Sequence, residues 1–170
     1  SVTISDLAGR TLSGQTLDAF MASVASYPIF SIGLNCSFGA RQMKPFIAEL
    51  ARKAPWYVSA HPNAGLPNSM GLYDETAESM ATQIAELIDE QLVNIVGGCC
   101  GTTDEFIARY IPLTIGKTPR KPQPAPDTMR LSGLDMLDVT PELGFVNVGE
   151  RCNVAGSRKF LRLIKEKNYE

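Results

Sequence analysis

The chain has 170 residues, of which 44% are hydrophobic and 20% charged, an ordinary composition for a globular protein. Its 16 lysines and arginines are outnumbered by 18 aspartates and glutamates, so nothing indicates binding to nucleic-acid phosphates. No apolar stretch approaches the roughly 20 residues that a membrane span needs, and the N-terminus lacks the pattern of a signal peptide. We therefore expect a cytoplasmic protein whose four cysteines serve metal binding or catalysis rather than disulfides.

The N-terminal half of the chain alternates short apolar runs with amphipathic stretches. The end of a strand is predicted at residues 2–4, followed by a helix over 16–24 and a strand over 29–34. A second helix is predicted over 41–53, with Pro45 near its start, where proline is tolerated. These elements form the first two strand–helix units.

Two further units follow. A strand is predicted over 56–60, a helix over 75–91 and a short strand over 92–96. Thr102 and Glu105 have the spacing of a capping box, which predicts the start of another helix at this point. The pattern thus repeats about every 30 residues.

Strands that alternate with helices at this spacing indicate parallel α/β structure. Polar and cysteine residues follow directly after the strands, where a (β/α)8 barrel carries its chemistry, but such a barrel needs eight units and about 250 residues. We interpret residues 1–116 as the C-terminal half of a (β/α)8 barrel and 117–144 as a Pro-rich linker. Residues 145–170 are interpreted as the first strand and helix of a second (β/α)8 barrel. On this interpretation the chain is expected to be a fragment that is truncated at both ends.

Three cysteines stand where two predicted strands end. Cys36 closes one apolar run, and Cys99 and Cys100 follow the run at 92–96 after two glycines that permit a tight backbone path. Three thiolates bind Zn²⁺ tetrahedrally at about 2.3 Å, and a catalytic site leaves the fourth position to water or substrate. The spacing therefore favours an open zinc site.

Other interpretations of these residues remain open. The cysteines could be small buried hydrophobic residues, whereas a closed structural zinc site would need a fourth Cys or His at short spacing, which the chain lacks. His61, the only histidine, is a possible fourth ligand, although such a residue more often makes structural hydrogen bonds. Asn63 could offer a carbonyl oxygen when no substrate is bound. Cys152, which lies beyond the linker, is interpreted as structural.

An open position beside three thiolates suits a substrate that is itself a thiol. A free thiol has a pKa near 8.5, so only a few per cent is thiolate at neutral pH. Lowering that pKa below 7 recovers roughly 2 kcal/mol of ionisation cost. The predicted chemistry is the attack of a thiolate on an electrophilic carbon.

Several segments together resemble the cobalamin-dependent methionine synthases (5-methyltetrahydrofolate–homocysteine methyltransferases). The most specific are Gly-Leu-Asn-Cys at 33–36, His-Pro-Asn-Ala-Gly-Leu-Pro-Asn at 61–68 and Gly-Gly-Cys-Cys-Gly-Thr-Thr at 97–103. Residues 9–15 resemble a loop of the same homocysteine-binding barrel, and 130–134 and 145–160 resemble the entry to the folate-binding barrel. The resemblance covers nearly the whole chain.

The resemblance implies that Cys36, Cys99 and Cys100 hold zinc and that no catalytic residue beyond these ligands is needed. Homocysteine would be methylated to methionine by methylcobalamin, which is bound on a module absent from this chain. Methyltetrahydrofolate would recharge the cobalamin and would contact Gly156, Ser157 and Arg158. Without this resemblance, we would interpret Arg158 as a solvent-exposed charge at the start of a helix.

Two alternatives to this function remain. The Gly-Gly-Cys-Cys segment by itself fits any homocysteine methyltransferase, including cobalamin-independent ones that use betaine or a methylated thioether. The second alternative is a zinc-binding module without catalytic activity. The family commonly has Pro-Glu-His or Pro-Gln-His where this chain has Asp-Glu-Phe at 104–106, which we expect to be neutral for zinc. By itself the fragment is expected to be inactive, because half a barrel leaves sheet edges unpaired.

Overall fold

The structure, a computed structural model, describes residues 1–147, 149 and 154–168. The chain divides into two compact units, Ser1–Asp138 and Val139–Glu170. Among the described residues, no helix combines the length and the apolar character that crossing a membrane would require.

A parallel sheet forms the centre of the first unit. Its strands lie in the order β1 (Ser31–Gly39), β2 (Tyr57–Asn63) and β3 (Ile95–Val96). Val2 adds a parallel bridge to Leu34 at the opposite edge of β1 from β2. The strands therefore follow one another in space as they do along the chain, and their C-terminal ends meet at one edge of the sheet.

Four helices accompany this sheet, and the bounds of the first three agree with the sequence-based ones to within about two residues. They are α1 (Leu17–Val24), α2 (Ala40–Lys53), α3 (Ala77–Asp89) and α4 (Asp104–Thr114). Thr16 and Thr76 cap α1 and α3, each accepting a hydrogen bond from a backbone N–H three residues later. Such caps satisfy donors that the first helical turn leaves without partners.

The core lies where α2 and α3 cover the sheet. Apolar positions at helical spacing on α2 and α3 form one buried cluster with residues of β1 and β2, and these members are almost completely buried: Leu34, Met43, Ile47, Leu50, Val58, Ile84 and Leu87. Burying a side chain of this size stabilises the fold by about 1.5–3 kcal/mol. This core fixes the strand ends that carry the cysteines.

Three sequence-based details of the first unit are wrong. β3 is only two residues long, and β1 continues to Gly39 instead of ending at residue 34. The capping box does not form, because Thr103 occupies the N-cap of α4 and the Thr102 hydroxyl donates instead to the carbonyl oxygen of Cys99 at 2.7 Å. Thr102 therefore belongs to the cysteine turn rather than to the helix.

The segment interpreted as a linker contains ordered structure. After the prolines, strands β4 (Met129–Ser132) and β5 (Met136–Val139) form a two-stranded sheet. The hydroxyl of Ser132 donates to the Ala19 carbonyl oxygen in α1 at 2.7 Å. The proline pattern does not reveal this pair of strands, which pair with each other and also contact α1, more than 100 residues earlier in the chain.

In the second unit, a terminal helix is confirmed as α5 (Arg158–Lys165). The predicted strand at 145–148 is not present over residues 145–147, and Phe145 is 93% exposed. A lone strand has no partner for its backbone groups, and the described part of this unit offers none. Residue 148 and Cys152 lie outside the described residues.

Candidate metal centre

Three thiols meet at the C-terminal edge of the sheet. The Sγ atoms of Cys36 and Cys100 are 3.7 Å apart, and those of Cys99 and Cys100 are 4.0 Å apart. All three sulfurs lie within 4.8 Å of one another. Cys36 lies in the C-terminal half of β1, and the other two come from the loop between β3 and α4, so the fold joins positions more than 60 residues apart.

The spacing of these sulfurs fits a tetrahedral metal ion. With Zn–S bonds of about 2.3 Å, the sulfurs at the corners of a tetrahedron are about 3.8 Å apart. The observed separations of 3.7 and 4.0 Å are close to that edge length. A donor set of three thiolates suits soft or borderline ions such as Zn²⁺. The cluster could therefore hold a metal with little movement of the side chains.

Cys36 reaches the cluster through an irregularity in β1. Between Asn35 and Gly39 the strand has four steps opposite the two steps from His61 to Asn63 on β2. Cys36 itself has a φ of 61°, a left-handed conformation that costs a non-glycine residue free energy. Such bulges redirect side chains near functional sites. The backbone N–H of Ser37, aided by neighbouring polar groups, lowers the pKa of the Cys36 thiol against the opposing effect of burial.

Hydrogen bonds to the end of β2 fix the vicinal cysteines. The backbone N–H of Cys99 donates to the Pro62 carbonyl oxygen at 2.9 Å, and that of Cys100 donates to Oδ1 of Asn63 at 3.1 Å. The Cys99 carbonyl oxygen accepts from both the N–H and the hydroxyl of Thr102. Burial raises the pKa of the Cys99 thiol. Hydrogen bonds to β2 and within the loop therefore hold the loop in place before any metal binds.

His61 lies outside this cluster, and Asn63 supports its backbone. In the part of the chain that the structure describes, the only group of three or more metal-ligating side chains is the three cysteines, and His61 is not part of it. The His61 ring packs against Gly97, and burial lowers the pKa of its imidazole. Asn63, only 2% exposed, uses its carbonyl oxygen to accept from the Cys100 backbone. Its structural role was not evident from the sequence.

Close packing requires glycine at position 98. A Cβ atom there would lie 2.3 Å from Oγ1 and 2.6 Å from Cβ of Thr102. We expect Gly98→Ala to displace Thr102 and the cysteine turn, costing about 1–3 kcal/mol of stability and about tenfold in metal affinity. Urea unfolding and chelator competition with Zn²⁺ would measure the two effects. Gly133→Ala is the control, because a Cβ there meets nothing closer than 3.6 Å. Equal zinc affinity in both variants would contradict this expectation.

The residues predicted to contact folate lie together at the start of α5 in the second unit. Gly156 ends a 3₁₀ turn, and Ser157 is the N-cap of α5, its hydroxyl accepting from the Phe160 N–H at 3.2 Å. Arg158 is the first residue of the helix and is exposed. Their role in binding folate stays a prediction.

A comparison with known protein families matches most of the chain. The family model described as homocysteine S-methyltransferase matches residues 1–111. The matched region includes the parallel sheet and all three clustered cysteines, and it ends within α4. It therefore covers 111 of the 170 residues.

Proposed function

This chain belongs to the homocysteine S-methyltransferase family, and we propose that its cysteine cluster holds zinc and presents homocysteine as a thiolate for methylation. The observation that carries the proposal is the approach of three sulfurs to within 4.8 Å, with no fourth His, Cys, Asp or Glu in the group among the described residues. A tetrahedral ion would then keep one position for a substrate. The methyltransferase activity follows from the family, and the chemistry of the site explains how this chain contributes to it.

The three cysteines determine the net charge of the site and the side on which solvent reaches it. Zinc, when bound, would remove the protons of coordinating thiols and lower the pKa of an incoming thiol. Three cysteine thiolates outweigh the double positive charge of the ion, so the site keeps the sulfur of homocysteine electron-rich. Cys100 is exposed while Cys36 and Cys99 are partly buried, so the cluster is open to solvent on the side of Cys100.

The homocysteine sulfur would act as the nucleophile. Its lone pair forms a bond to the methyl carbon of the donor, and the bond between that carbon and the donor breaks. The proton of the substrate thiol leaves to solvent when homocysteine binds. The product, methionine, is a neutral thioether and a weaker ligand, which favours its release.

For the methyl donor we propose methylcobalamin, bound on a module outside this chain and recharged by methyltetrahydrofolate. The support is the resemblance of residues 145–160 to the entry of a folate-binding barrel. Gly156, Ser157 and Arg158 form a turn at the start of α5, in a compact unit separate from the matched region. The consecutive parallel order of the sheet supports the proposal that residues 1–116 are half of a (β/α)8 barrel. A cytoplasmic location is part of the same proposal.

If homocysteine binds zinc as a thiolate, its binding should release the thiol proton to solvent. The 170-residue chain should bind one Zn²⁺, and homocysteine should then release close to one proton per site at pH 7, because most free thiol is protonated there. Calorimetry in buffers of different ionisation enthalpy would measure this number. Methionine, which has no thiol proton, is the matched control. One bound zinc without proton release on adding homocysteine would favour a non-catalytic zinc-binding module.

A separate measurement distinguishes the donors. The chain, supplied with the cobalamin-binding module of the proposal, would be given homocysteine with methylcobalamin, with betaine or with a methylated thioether, and methionine would be quantified. Methionine from methylcobalamin alone supports the proposal, and methionine from betaine supports the cobalamin-independent alternative. The isolated 170-residue chain should give no turnover with any of the three donors.

A further inference from the structure

The loop that joins β2 to α3, residues 64–76, lies beside the cysteine turn. At its start, the backbone N–H of Ala64 donates to the Cys100 carbonyl oxygen at 2.9 Å. Further along, Tyr73 packs on Gly101, where a Cβ atom would lie 2.6 Å from both Cβ and Cγ of the tyrosine. The 64–76 loop is therefore held at two points against the segment that carries the vicinal cysteines.

Hydrogen bonds within the loop order its tip. Oδ1 of Asn68 accepts from the backbone N–H groups of Met70 and Leu72 at 2.9 and 3.0 Å. The Asn68 N–H donates in turn to the Leu72 carbonyl oxygen at 2.8 Å. Pro67 and Tyr73 form an antiparallel bridge at the base of the tip. The tip thus has a defined backbone conformation, although Met70 and Leu72 are not part of the hydrophobic core.

This ordered tip presents apolar side chains to solvent. Met70 is 78% exposed, Leu72 56% and Leu66 51%. A Cβ atom at Gly71 would meet nothing within 4 Å, so the tip projects away from the other described residues. Single exposed apolar residues are ordinary on a protein surface, but here three large ones follow closely on one loop beside a metal centre. The 64–76 loop therefore has the character of a preformed contact surface.

A protein that delivers a methyl group to the cluster must cover this loop. Transfer requires the methyl carbon to come within about 3–3.5 Å of the homocysteine sulfur, and Cys100 marks the side of the cluster that solvent reaches. A standard protein interface covers about 800 Å² on each partner, equivalent to a disc of about 16 Å radius. The two contacts of the loop with the cysteine turn keep the Cα atoms of Leu66 and Leu72 within about 14 Å of that of Cys100. Both leucines therefore lie within such a footprint.

We propose that the 64–76 loop is a docking element for the module that carries methylcobalamin, and that docking buries Leu66, Met70 and Leu72. The inference rests on the proposed function, because it requires a methyl donor bound on a separate module. Burial of these side chains favours association, and the hydrogen bonds of Asn68 reduce the entropy that docking costs, since they order the loop beforehand. The loop acts without contacting homocysteine, so docking and substrate binding can be changed independently.

Met70→Ser tests docking on the 170-residue chain loaded with Zn²⁺ and homocysteine. Its affinity for the cobalamin-binding module, measured by the fluorescence anisotropy of a labelled module, should fall about tenfold, as expected for a side chain buried within an interface. Met70→Leu keeps an apolar side chain of similar size and should bind the module like the unchanged chain. Tyr27→Ser is the matched control, because Tyr27 is also largely exposed but lies between α1 and β1, at the opposite edge of the sheet.

Binding of homocysteine separates docking from closure of the loop over the substrate. Met70→Ser and Leu72→Ser should leave the affinities for Zn²⁺ and homocysteine unchanged, since only contact with the module is lost. If homocysteine affinity falls while module affinity stays the same, the loop covers the substrate, and this inference is wrong although the proposed function stands. Module affinities equal to that of the unchanged chain in both variants would also contradict it. If the unchanged chain binds neither Zn²⁺ nor homocysteine, the proposed function itself is wrong, and the inference fails with it.

Discussion

Replacing any one of Cys36, Cys99 and Cys100 by serine is expected to remove zinc from the chain and to abolish methyl transfer to homocysteine. Zinc affinity should fall by more than about 100-fold, since loss of a direct ligand exceeds the 10–100-fold typical for groups behind the ligands. A serine hydroxyl is far less acidic than a thiol and does not replace a thiolate on the ion. Zinc content after dialysis against a chelator would measure the loss.

The three variants should behave alike, because their sulfurs are mutually within 4.8 Å and form one donor set. Cys152→Ser is the matched control: it removes the fourth cysteine of the chain, which we predict to be structural, and should keep zinc. A Cys36→Ser variant that kept zinc while the Cys99 and Cys100 variants lost it would show that the ion sits on the vicinal pair with another partner. That result would contradict the three-thiolate site.

Much of this site follows from the sequence for a simple reason. Parallel strands that follow one another have their C-terminal ends at the same edge, so cysteines near the C-terminal ends of such strands lie at that edge. Cys36, in the C-terminal half of β1, and the pair at 99–100, in the loop after β3, satisfy that condition, and β1 and β3 flank β2 in the sheet. The apolar periodicity of α1–α3 was also sufficient to place those helices.

What the sequence did not reveal are contacts between distant side chains and backbone. The left-handed φ of Cys36 belongs to a residue type that rarely adopts it, so no local preference predicts it. Tyr73 packs against Gly101 across 28 positions, through a loop organised by Asn68. Thr102 has the spacing of a capping residue, yet the Cys99 carbonyl competes for its hydroxyl. Tertiary contacts, and not the local sequence, determine these conformations and hydrogen-bond partners.

Arg120 is the clearest case, and its replacement is the second large expected effect. It lies in the segment that prolines identify as a linker, yet it is only 4% exposed. Its guanidinium donates to three carbonyl oxygens, those of Ala51 at 2.9 Å, Ala54 at 2.5 Å and Trp56 at 2.8 Å. The first two lie at the C-terminal end of α2, where the last carbonyls lack helical partners and the helix dipole is negative.

The backbone of Arg120 extends this junction to the sheet. Its carbonyl oxygen accepts from Nδ2 of Asn94 at 2.7 Å, while Oδ1 of Asn94 accepts from the Val58 N–H at 3.0 Å. Arg120 therefore ties the end of α2 to the starts of β2 and β3. None of its three guanidinium partners is a carboxylate, so the buried charge is balanced by carbonyl dipoles alone.

Arg120→Met should therefore destabilise the chain by about 3 kcal/mol, since three buried carbonyls lose charged donors while the aliphatic volume is kept. With a urea m-value of about 2 kcal/mol/M, the unfolding midpoint would fall by about 1.5 M. Arg120→Lys keeps the positive charge but not the planar fork of donors, so its unfolding midpoint should lie between those of the unchanged chain and Arg120→Met. Lys121→Ala, at the exposed neighbouring residue, should change stability by less than about 0.5 kcal/mol. A midpoint for Arg120→Met equal to that of Lys121→Ala would mean that the prolines, and not this arginine, hold the segment against the sheet.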